Sequence, residues 1–299
     1  MSSARVVVIV LNWNNESDTA ACLDSLAAQR DAIFDILLVD NASTDGSGER
    51  LRQRYPAPAY LQTPTNLGYA GGNNRGIEWA LARGAEWIVV LNNDTVLDAD
   101  CMHALLETAR SDSRIGALSP LVTRHDDPTR VWFAGGHIDR ARAVGVHDGE
   151  NVSVARWLET KAVALPDRTW YPCTFVCGCC LLLRAEALRA VGAFREDYFA
   201  YVEDVELSHR LTHAGWALGW IPAARLAHRV PPVGQAESAF QIRLRDRYRR
   251  RFVNVSYSMG WKLILAAWFW PTRVLLLLRF ALLGDRDRAR AVIAGMFDR

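Results

Sequence analysis

Two hydrophobic periods alternate through the first hundred residues of the chain. Residues 5–11 form a largely β-branched run that is apolar after Arg5, the pattern of a strand buried on both faces. Residues 17–29 then take helical spacing, with Leu23 and Leu26 on one face. The alternation repeats: a buried strand at 36–39, a helix at 45–55, a short strand at 59–62, a helix at 71–83 opened by glycines, and a buried strand at 87–91. Strands and helices at this spacing predict right-handed βαβ units on a mostly parallel central sheet flanked by helices, an α/β fold. Ligands of such sheets bind at the carboxyl ends of the strands, where the polar clusters fall here.

The second half is less regular. Residues around Gly135-Gly136 to about 154 read as loop or hairpin, 180–184 as strand, 185–191 as short helix and 204–214 as a helix capped by Gly215. Trp216 to Ile221 leads toward a last strand near His228. No linker, repeat or low-complexity segment divides residues 1–240, which are expected to form one domain, with 241–299 as a C-terminal helical extension.

Composition is that of a globular chain, with 299 residues, 50% hydrophobic and 23% charged, and excludes disorder, collagen-like repeats and a disulfide scaffold. Net charge is +2, but it is unevenly placed. Residues 241–299 carry 13 Lys/Arg against 4 Asp/Glu, a surplus of +9, and the remainder is −7. An acidic body with a basic, apolar tail argues against a nucleic-acid binder and for a head that meets an anionic surface through its C-terminus. The apolar run at 6–11 is too short for an export signal, and no stretch reads as an uninterrupted span of about 20 apolar residues. A cytoplasmic setting with reduced cysteines is therefore expected. Cys173, Cys177, Cys179 and Cys180 lack a distant second pair and read as buried thiols rather than a zinc site.

Five clusters could carry chemistry. Asp40 ends a buried strand, where a carboxylate can accept from a nucleobase imide or a ribose hydroxyl, or simply cap the next helix. The stretch Asn66-Leu67-Gly68-Tyr69-Ala70-Gly71-Gly72-Asn73-Asn74-Arg75-Gly76 could bring backbone close to a ligand and head a helix that favours anions, or be a turn chosen for shape. It matches neither dinucleotide nor P-loop spacing. In Asn92-Asn93-Asp94-Thr95 the carboxylate could hold Mg2+ or Mn2+ with substrate phosphate completing the shell, or belong to an ordinary turn. Glu203, Asp204 and Glu206 head a helix, as dipole-stabilising acids often do, but follow aromatic residues that would desolvate one of them and raise its pKa. His228, near a strand end, is either structural or a ligand.

Taken in order, Leu11-Asn12-Trp13-Asn14, Asp40-Asn41-Ala42-Ser43, Asn66 to Gly76, Asn92 to Thr95, Gly178 to Arg184 and Tyr201 to Arg210 resemble the family 2 glycosyltransferases of bacterial polysaccharide assembly, particularly the rhamnosyltransferases. The resemblance spans residues 5 to about 230. It implies a GT-A fold and an inverting transfer from a nucleotide-sugar, dTDP- or UDP-linked, to a glycan or lipid-linked acceptor in cell-envelope synthesis, with dTDP-rhamnose the leading donor. Carried over residue by residue, Asn12, Asn14 and Asp40 would serve the nucleotide, Asp40 at its base. Asn66, Gly68, Gly71, Gly72, Asn73, Asn74 and Arg75 would line the nucleotide and diphosphate site. Asn93 would face the ribose, Asp94 and His228 would hold Mg2+ or Mn2+, and Asp204, with Glu203 beside it, would be the general base. The family's Asp-x-Asp motif is Asn92-Asn93-Asp94 here, so the protein supplies few metal ligands.

Two rival readings remain. A sugar nucleotidyltransferase would want a basic triphosphate loop near the N-terminus, and residues 11–19 hold no Lys or Arg. A non-catalytic glycan- or nucleotide-binding module would not need Asp94, Asp204 and His228. In the tail, six arginines from Arg243 to Arg251 surround Asp246, and a Trp- and Leu-rich stretch at 260–283 is interrupted by Lys262, Pro271, Arg273 and Arg279. It reads as interfacial and peripheral to an anionic membrane, or as helices packing on the core or in a homodimer.

Overall fold

A computed structural model describes residues 5–232 and 234–298. Strand β1 (Val6–Asn12), buried almost throughout, enters helix α1 (Glu16–Ala27), whose cap Asn15 accepts from the Asp18 amide. The alternation continues through β2 (Asp35–Asp40), α2 (Ser47–Arg54), β3 (Ala59–Gln62), α3 (Gly68–Ala82), β4 (Trp87–Asn92), β5 (Thr95–Leu97), α4 (Cys101–Ser111) and β6 (Ile115–Arg124). Then come β7 (Val131–Phe133), the hairpin β8 (Gly136–Asp139) and β9 (Val144–His147), α5 (Val154–Ala164), β10 (Tyr171–Cys173), β11 (Cys180–Arg184), α6 (Ala185–Val191), α7 (Glu203–His213) and β12 (Ala217–His228). Helices α8 (Ala239–Ser256), α9 (Met259–Leu282) and α10 (Arg286–Phe297) follow.

The central sheet runs β10-β12-β6-β11-β4-β1-β2-β3. It is parallel from β4 to β3 and between β6 and β12, with β11 inserted antiparallel between β4 and β6. Strand β1 lies between β2 and β4, so the chain leaves it on one side and returns on the other. That reversal opens a crevice at the carboxyl ends. Register levels those ends, pairing Asn12 with Asp40 and Leu11 with Asn92.

Several elements differ from the sequence pattern. Helix α3 begins at Gly68 rather than Gly71, so most of the glycine-rich stretch is helical. The close approach its glycines permit is to strand β1: a Cβ on Gly72 or Gly76 would lie 2.7 Å from Leu11 and 2.6 Å from Ile9. Strand β6 and helix α4 were not read from the sequence, although Met102, Leu105, Leu106 and Ala109 of α4 recur at helical spacing; all ten residues of β6 are buried, so no alternation marks it. Residues 217–228 form one strand, with a bulge between Ile221 and Arg225.

The tail also departs from expectation. Pro271 does not divide it: α9 is one helix of 24 residues, long and apolar enough by length and composition to cross a membrane. Pro271 has no N–H for the carbonyl four residues back, and the Thr272 hydroxyl donates to the adjoining Trp268 and Phe269 carbonyls. Lys262 and Arg279 lie near the helix ends, and Arg273 is turned inward onto Asp246 at 2.8 Å. The charges therefore interrupt the outward face less than their sequence positions suggest. Helix α8 contributes Ile242, Tyr248 and Phe252 to the same core cluster as Val6 and Val8 of β1.

Candidate functional site

At the floor of the crevice the polar strand ends satisfy one another. Asn12 is fully buried, donates to Asp40, Ser43 and Ser47 at 3.0–3.1 Å and accepts from Thr19. Asp40, 1% exposed, accepts from Asn12, Ser43 and Gln62 over the N-terminus of α2. Only glycine fits beneath it, since a Cβ on Gly48 would collide with the carboxylate. Asn14, with φ of 51°, accepts from the Thr44 amide. Asn41, which sequence reasoning did not single out, accepts from Thr63 and the Leu67 amide and donates to Asn66 and the Gly68 carbonyl.

Above this floor lies a cleft of about 530 Å3 lined by Trp13, Asn15, Asn41, Asn66, Gly68, Tyr69, Asn92, Asn93, Asp94, Phe199 and Phe240. Asn66, Gly68, Asn93 and Asp94 were expected there. Asn12, Asn14, Asp40, Gly71, Gly72, Asn73, Asn74 and Arg75 do not line it. Asn73 donates to the Tyr69 carbonyl, Asn74 brackets Phe194 from both sides of its amide group, and Arg75 pairs with Glu78 and Glu196. These side chains therefore fix the walls. Trp13, 52% exposed at the cleft mouth, was legible only as part of a motif.

Strand register assembles the next group. Strand β5 pairs antiparallel with β12 so that Thr95 faces His228, and Asp94 immediately precedes that pair. Asp94 Oδ1 lies 3.0 Å from His228 Nε2, and the Arg229 amide donates to the Asp94 carbonyl. The Trp132 ring, edge-on at 4.5 Å, holds the imidazole. Asp94 Oδ1 is buried without a hydrogen-bond partner. An unsatisfied carboxylate oxygen beside a ring nitrogen suits a cation, and two cis ligands of an octahedral ion with bonds of about 2.1 Å stand about 3 Å apart. Among the described residues no cluster of three or more potential metal-ligating side chains occurs.

A second cavity of about 440 Å3 shares Tyr69, Asn92 and Ala200 with the first and holds Glu203, Asp204 and His228. Tyr201 and Val202 precede the acids with φ of 72° and 71°, a left-handed pair costing about 1–3 kcal/mol per residue and severe for a β-branched side chain. That turn presents both carboxyls to the groove. Asp204 accepts from the amides of Gly178 and Val205 at 2.9 and 2.8 Å. Burial raises its pKa to about 6, with those amides opposing the rise. Glu203 is buried with Oε2 unpartnered, and burial lifts its pKa well above the usual carboxylate range, with the Asp204 charge adding to it. Of the two, Asp204 is thus the more readily ionised and the better placed to accept a proton.

A cleft of this size at the switch point of a mostly parallel sheet fits a GT-A fold, and the comparisons with known proteins agree. The chain belongs to glycosyl transferase family 2, whose model matches residues 7–192. It is 32% identical over 231 residues to the N-acetylglucosaminyl-diphospho-decaprenol L-rhamnosyltransferase of Mycobacterium tuberculosis, covering 74% of this chain and 75% of that one. The galactofuranosyltransferase GlfT1 of the same organism is 30% identical, covering 78% and 71%. Among solved structures, the mannosyltransferase PcManGT of Pyrobaculum calidifontis with GDP-Man and Mn2+ superposes with a TM-score of 0.58 at 18% identity, covering 97% and 85%. GalNAc-T7 with UDP, GalNAc and Mn2+ gives 0.64 at 15%, covering 84% of this chain, which spans about half of GalNAc-T7.

The cleft wall depends on Gly68. With φ of +72°, it lies so close to Phe199 that a Cβ would meet both its carbonyl and its ring, while the neighbouring Tyr69 amide donates to that carbonyl at 2.7 Å. Gly68→Ala should destabilise the protein by about 1–3 kcal/mol and weaken nucleoside-diphosphate binding, because strain and collision both act at the cleft. Thermal unfolding and calorimetric titration check this; a variant equal to wild type in both would show that the contact is soft.

Proposed function

We propose that this glycosyltransferase is inverting and metal-dependent and moves L-rhamnose from dTDP-rhamnose to a hydroxyl of a lipid-linked glycan at the cytoplasmic face of a membrane. The observation that carries the reading is the continuous groove with Asp94 and His228 on one side and Asp204 on the other. The rhamnosyltransferase relative supports the choice of donor and of a diphospho-polyprenol acceptor.

In this reading the nucleotide occupies the larger cleft, with Trp13 against the base and Asn93 at the ribose. Asp40 supports that end by fixing Asn12 and Ser43. Asn66 and Gly68 form the wall beside the diphosphate. Mg2+ or Mn2+ at Asp94 and His228 would neutralise charge developing on the departing diphosphate. Asp204 takes the proton of the acceptor hydroxyl as its oxygen bonds to C1 of the sugar. The C1–O bond to phosphate breaks on the opposite face, and configuration inverts. Burial and the Asp204 charge favour the protonated form of Glu203, which lessens the negative charge beside the base.

Incubation with dTDP-rhamnose and N-acetylglucosaminyl-diphospho-polyprenol should yield an α-linked disaccharide lipid from the β-linked donor. Transfer from UDP-galactofuranose instead would reassign the donor, and no transfer from dTDP-, UDP- or GDP-sugars would sink the reading. Asp204→Asn should lower kcat about 10²–10⁴-fold with donor affinity nearly unchanged. Since the base must be ionised, wild-type kcat/KM should fall as pH drops below about 6. A variant within tenfold of wild type, or a profile flat to pH 5, would remove Asp204 from the role.

Chelation should abolish turnover, and Asp94→Ala should raise the metal concentration required; full activity in EDTA would leave Asp94 and His228 structural.

For the tail we propose membrane contact through α9. Leu263, Trp270, Val274, Leu275, Leu278 and Leu282 are exposed and recur at helical steps. The arginines of α8 are largely engaged: Arg243 pairs with Asp298, Arg251 with Asp197 and Arg245 with Glu237, while Arg250 donates to the Gly295 and Asp298 carbonyls. Apolar burial should therefore carry most of the attraction to an anionic leaflet. Full-length protein should co-sediment with phosphatidylglycerol vesicles and resist release by salt, and Glu replacing Leu275, Leu278 and Leu282 together should abolish binding. Wild type that ignores vesicles yet sediments as a dimer would make α9 a subunit contact.

A further inference from the structure

The groove does not end at Asp204. Beyond it a third cavity, about 300 Å3, opens between β9, α8 and α9, and Val144, Gly145, Arg245 and Arg249 line both it and the cavity holding Asp204. Its remaining walls include Arg142 and Arg273, with Trp268 and Leu276 from α9. All four guanidiniums have a carboxylate within 4.0 Å, but three are held more closely. Arg273 donates to both oxygens of Asp246 at 2.8 and 3.1 Å, Arg245 pairs with Glu237, and Arg142 lies 3.5 Å from Asp139. Arg249 differs. It is 7% exposed, its Nε and Nη1 have no hydrogen-bond partner, and Asp246, already held by Arg273, stands 4.0 Å away.

A buried guanidinium compensated by a 4.0 Å ion pair shared with Arg273 and by the Trp268 face at 5.3 Å, but with no hydrogen bond at Nε or Nη1, is under-satisfied and can take a further anionic partner. Burial pulls Arg249 down to about 10, so it keeps its charge at neutral pH. The order of groups along the groove indicates what the partner is. Asp204 stands where an acceptor hydroxyl must lie, the arginines come next, and apolar α9 comes last. A lipid-linked sugar carries the same sequence of chemistry: hydroxyl, phosphate, hydrocarbon.

We propose that Arg249, with Arg245 beside it, binds the phosphate groups of the acceptor, between the glycosyl residue at Asp204 and a hydrocarbon chain on α9. This rests on the transferase reading above and names the feature by which the site selects a phospholipid-linked acceptor over a free glycan. Planar guanidiniums suit bidentate contact with phosphate oxygens.

The test uses the full chain in detergent and two acceptors of one sugar, N-acetylglucosaminyl-diphospho-farnesol and octyl N-acetylglucosaminide. Arg249→Gln should raise KM for the diphosphate acceptor about 10–100-fold, as expected for a lost charged hydrogen bond, and leave the octyl glycoside and the donor within about twofold. Arg249→Lys should fall between. Equal loss on both acceptors would make Arg249 a packing residue, and weaker donor binding would assign it to the leaving diphosphate; either overturns the proposal. Inorganic pyrophosphate, titrated in EDTA, provides a readout independent of turnover. Wild type should bind it at least tenfold more tightly than Arg249→Gln, and equal affinities would refute the site. Failure of wild type to glycosylate either acceptor would instead count against the transferase reading, with pyrophosphate still deciding on Arg249. Should Arg249→Gln not fold, Arg245→Gln is expected to show the same selective rise in KM, and its absence would refute the proposal.

Discussion

The pairing of Thr95 with His228 across β5 and β12 is the contact on which the rest of the groove depends. Strand β5 has three residues, so its position is dictated by β12 rather than by its own propensity. The alternation of side chains along a strand makes register decisive: a slip of one residue would turn His228 to the other face and separate it from Asp94. The second register of this kind joins β11 to β4, setting Cys180 against Leu91. It places the Gly178 amide where it can hold Asp204 while the Cys179 carbonyl accepts from Asn92. Two antiparallel pairings thus bring together a carboxylate from the first third of the chain and two groups from the last third.

The surrounding structure holds what those registers position. Tyr201 and Val202 occupy a conformation that costs energy, and the segment before them is fixed from two sides: the Phe199 amide donates to the Tyr248 hydroxyl, and the Tyr69 amide donates to the Phe199 carbonyl. Tyr248 belongs to α8. The boundary expected near residue 240 therefore falls inside a helix that braces the turn before Glu203 and Asp204, and we read α8 as part of the main body, with α9 and α10 as the extension.

Much of this was legible because burial leaves a pattern. Continuous apolar runs ending in Asn12, Asp40 and Asn92 announced parallel strands and located the crevice. Asp94, His228, Asp204 and Glu203 took their roles from the resemblance to family 2 glycosyltransferases, since an acid at a turn or helix start and a lone imidazole also serve as caps and structural groups. What failed to show were residues whose work depends on distant partners. Asn41 reads as a turn residue, and only the folded chain reveals that it ties β2 to the start of α3. Conversely, Asn74 and Arg75 sit in the most polar motif yet hold the segment around Phe194 and Glu196, because one face of α3 turns away from the cleft. The all-buried β6 left no period to read.

The basic tail shows most clearly how charge counted along a sequence differs from charge available in a structure. A surplus of +9 suggests an electrostatic surface, but long guanidiniums between packed helices find carboxylates and carbonyls that a count treats as independent. With those pairs made, what α9 offers outward is hydrocarbon, and a buried cation without a hydrogen bond is left at the groove's inner end. In our reading the two features belong together. A helix lying along a membrane boundary would keep the groove at headgroup depth, where a lipid-linked phosphate must be met without being drawn fully into water. An Arg249 whose Nε and Nη1 lack hydrogen bonds is costly in the free protein, and that cost biases the site toward whichever acceptor brings a second anion.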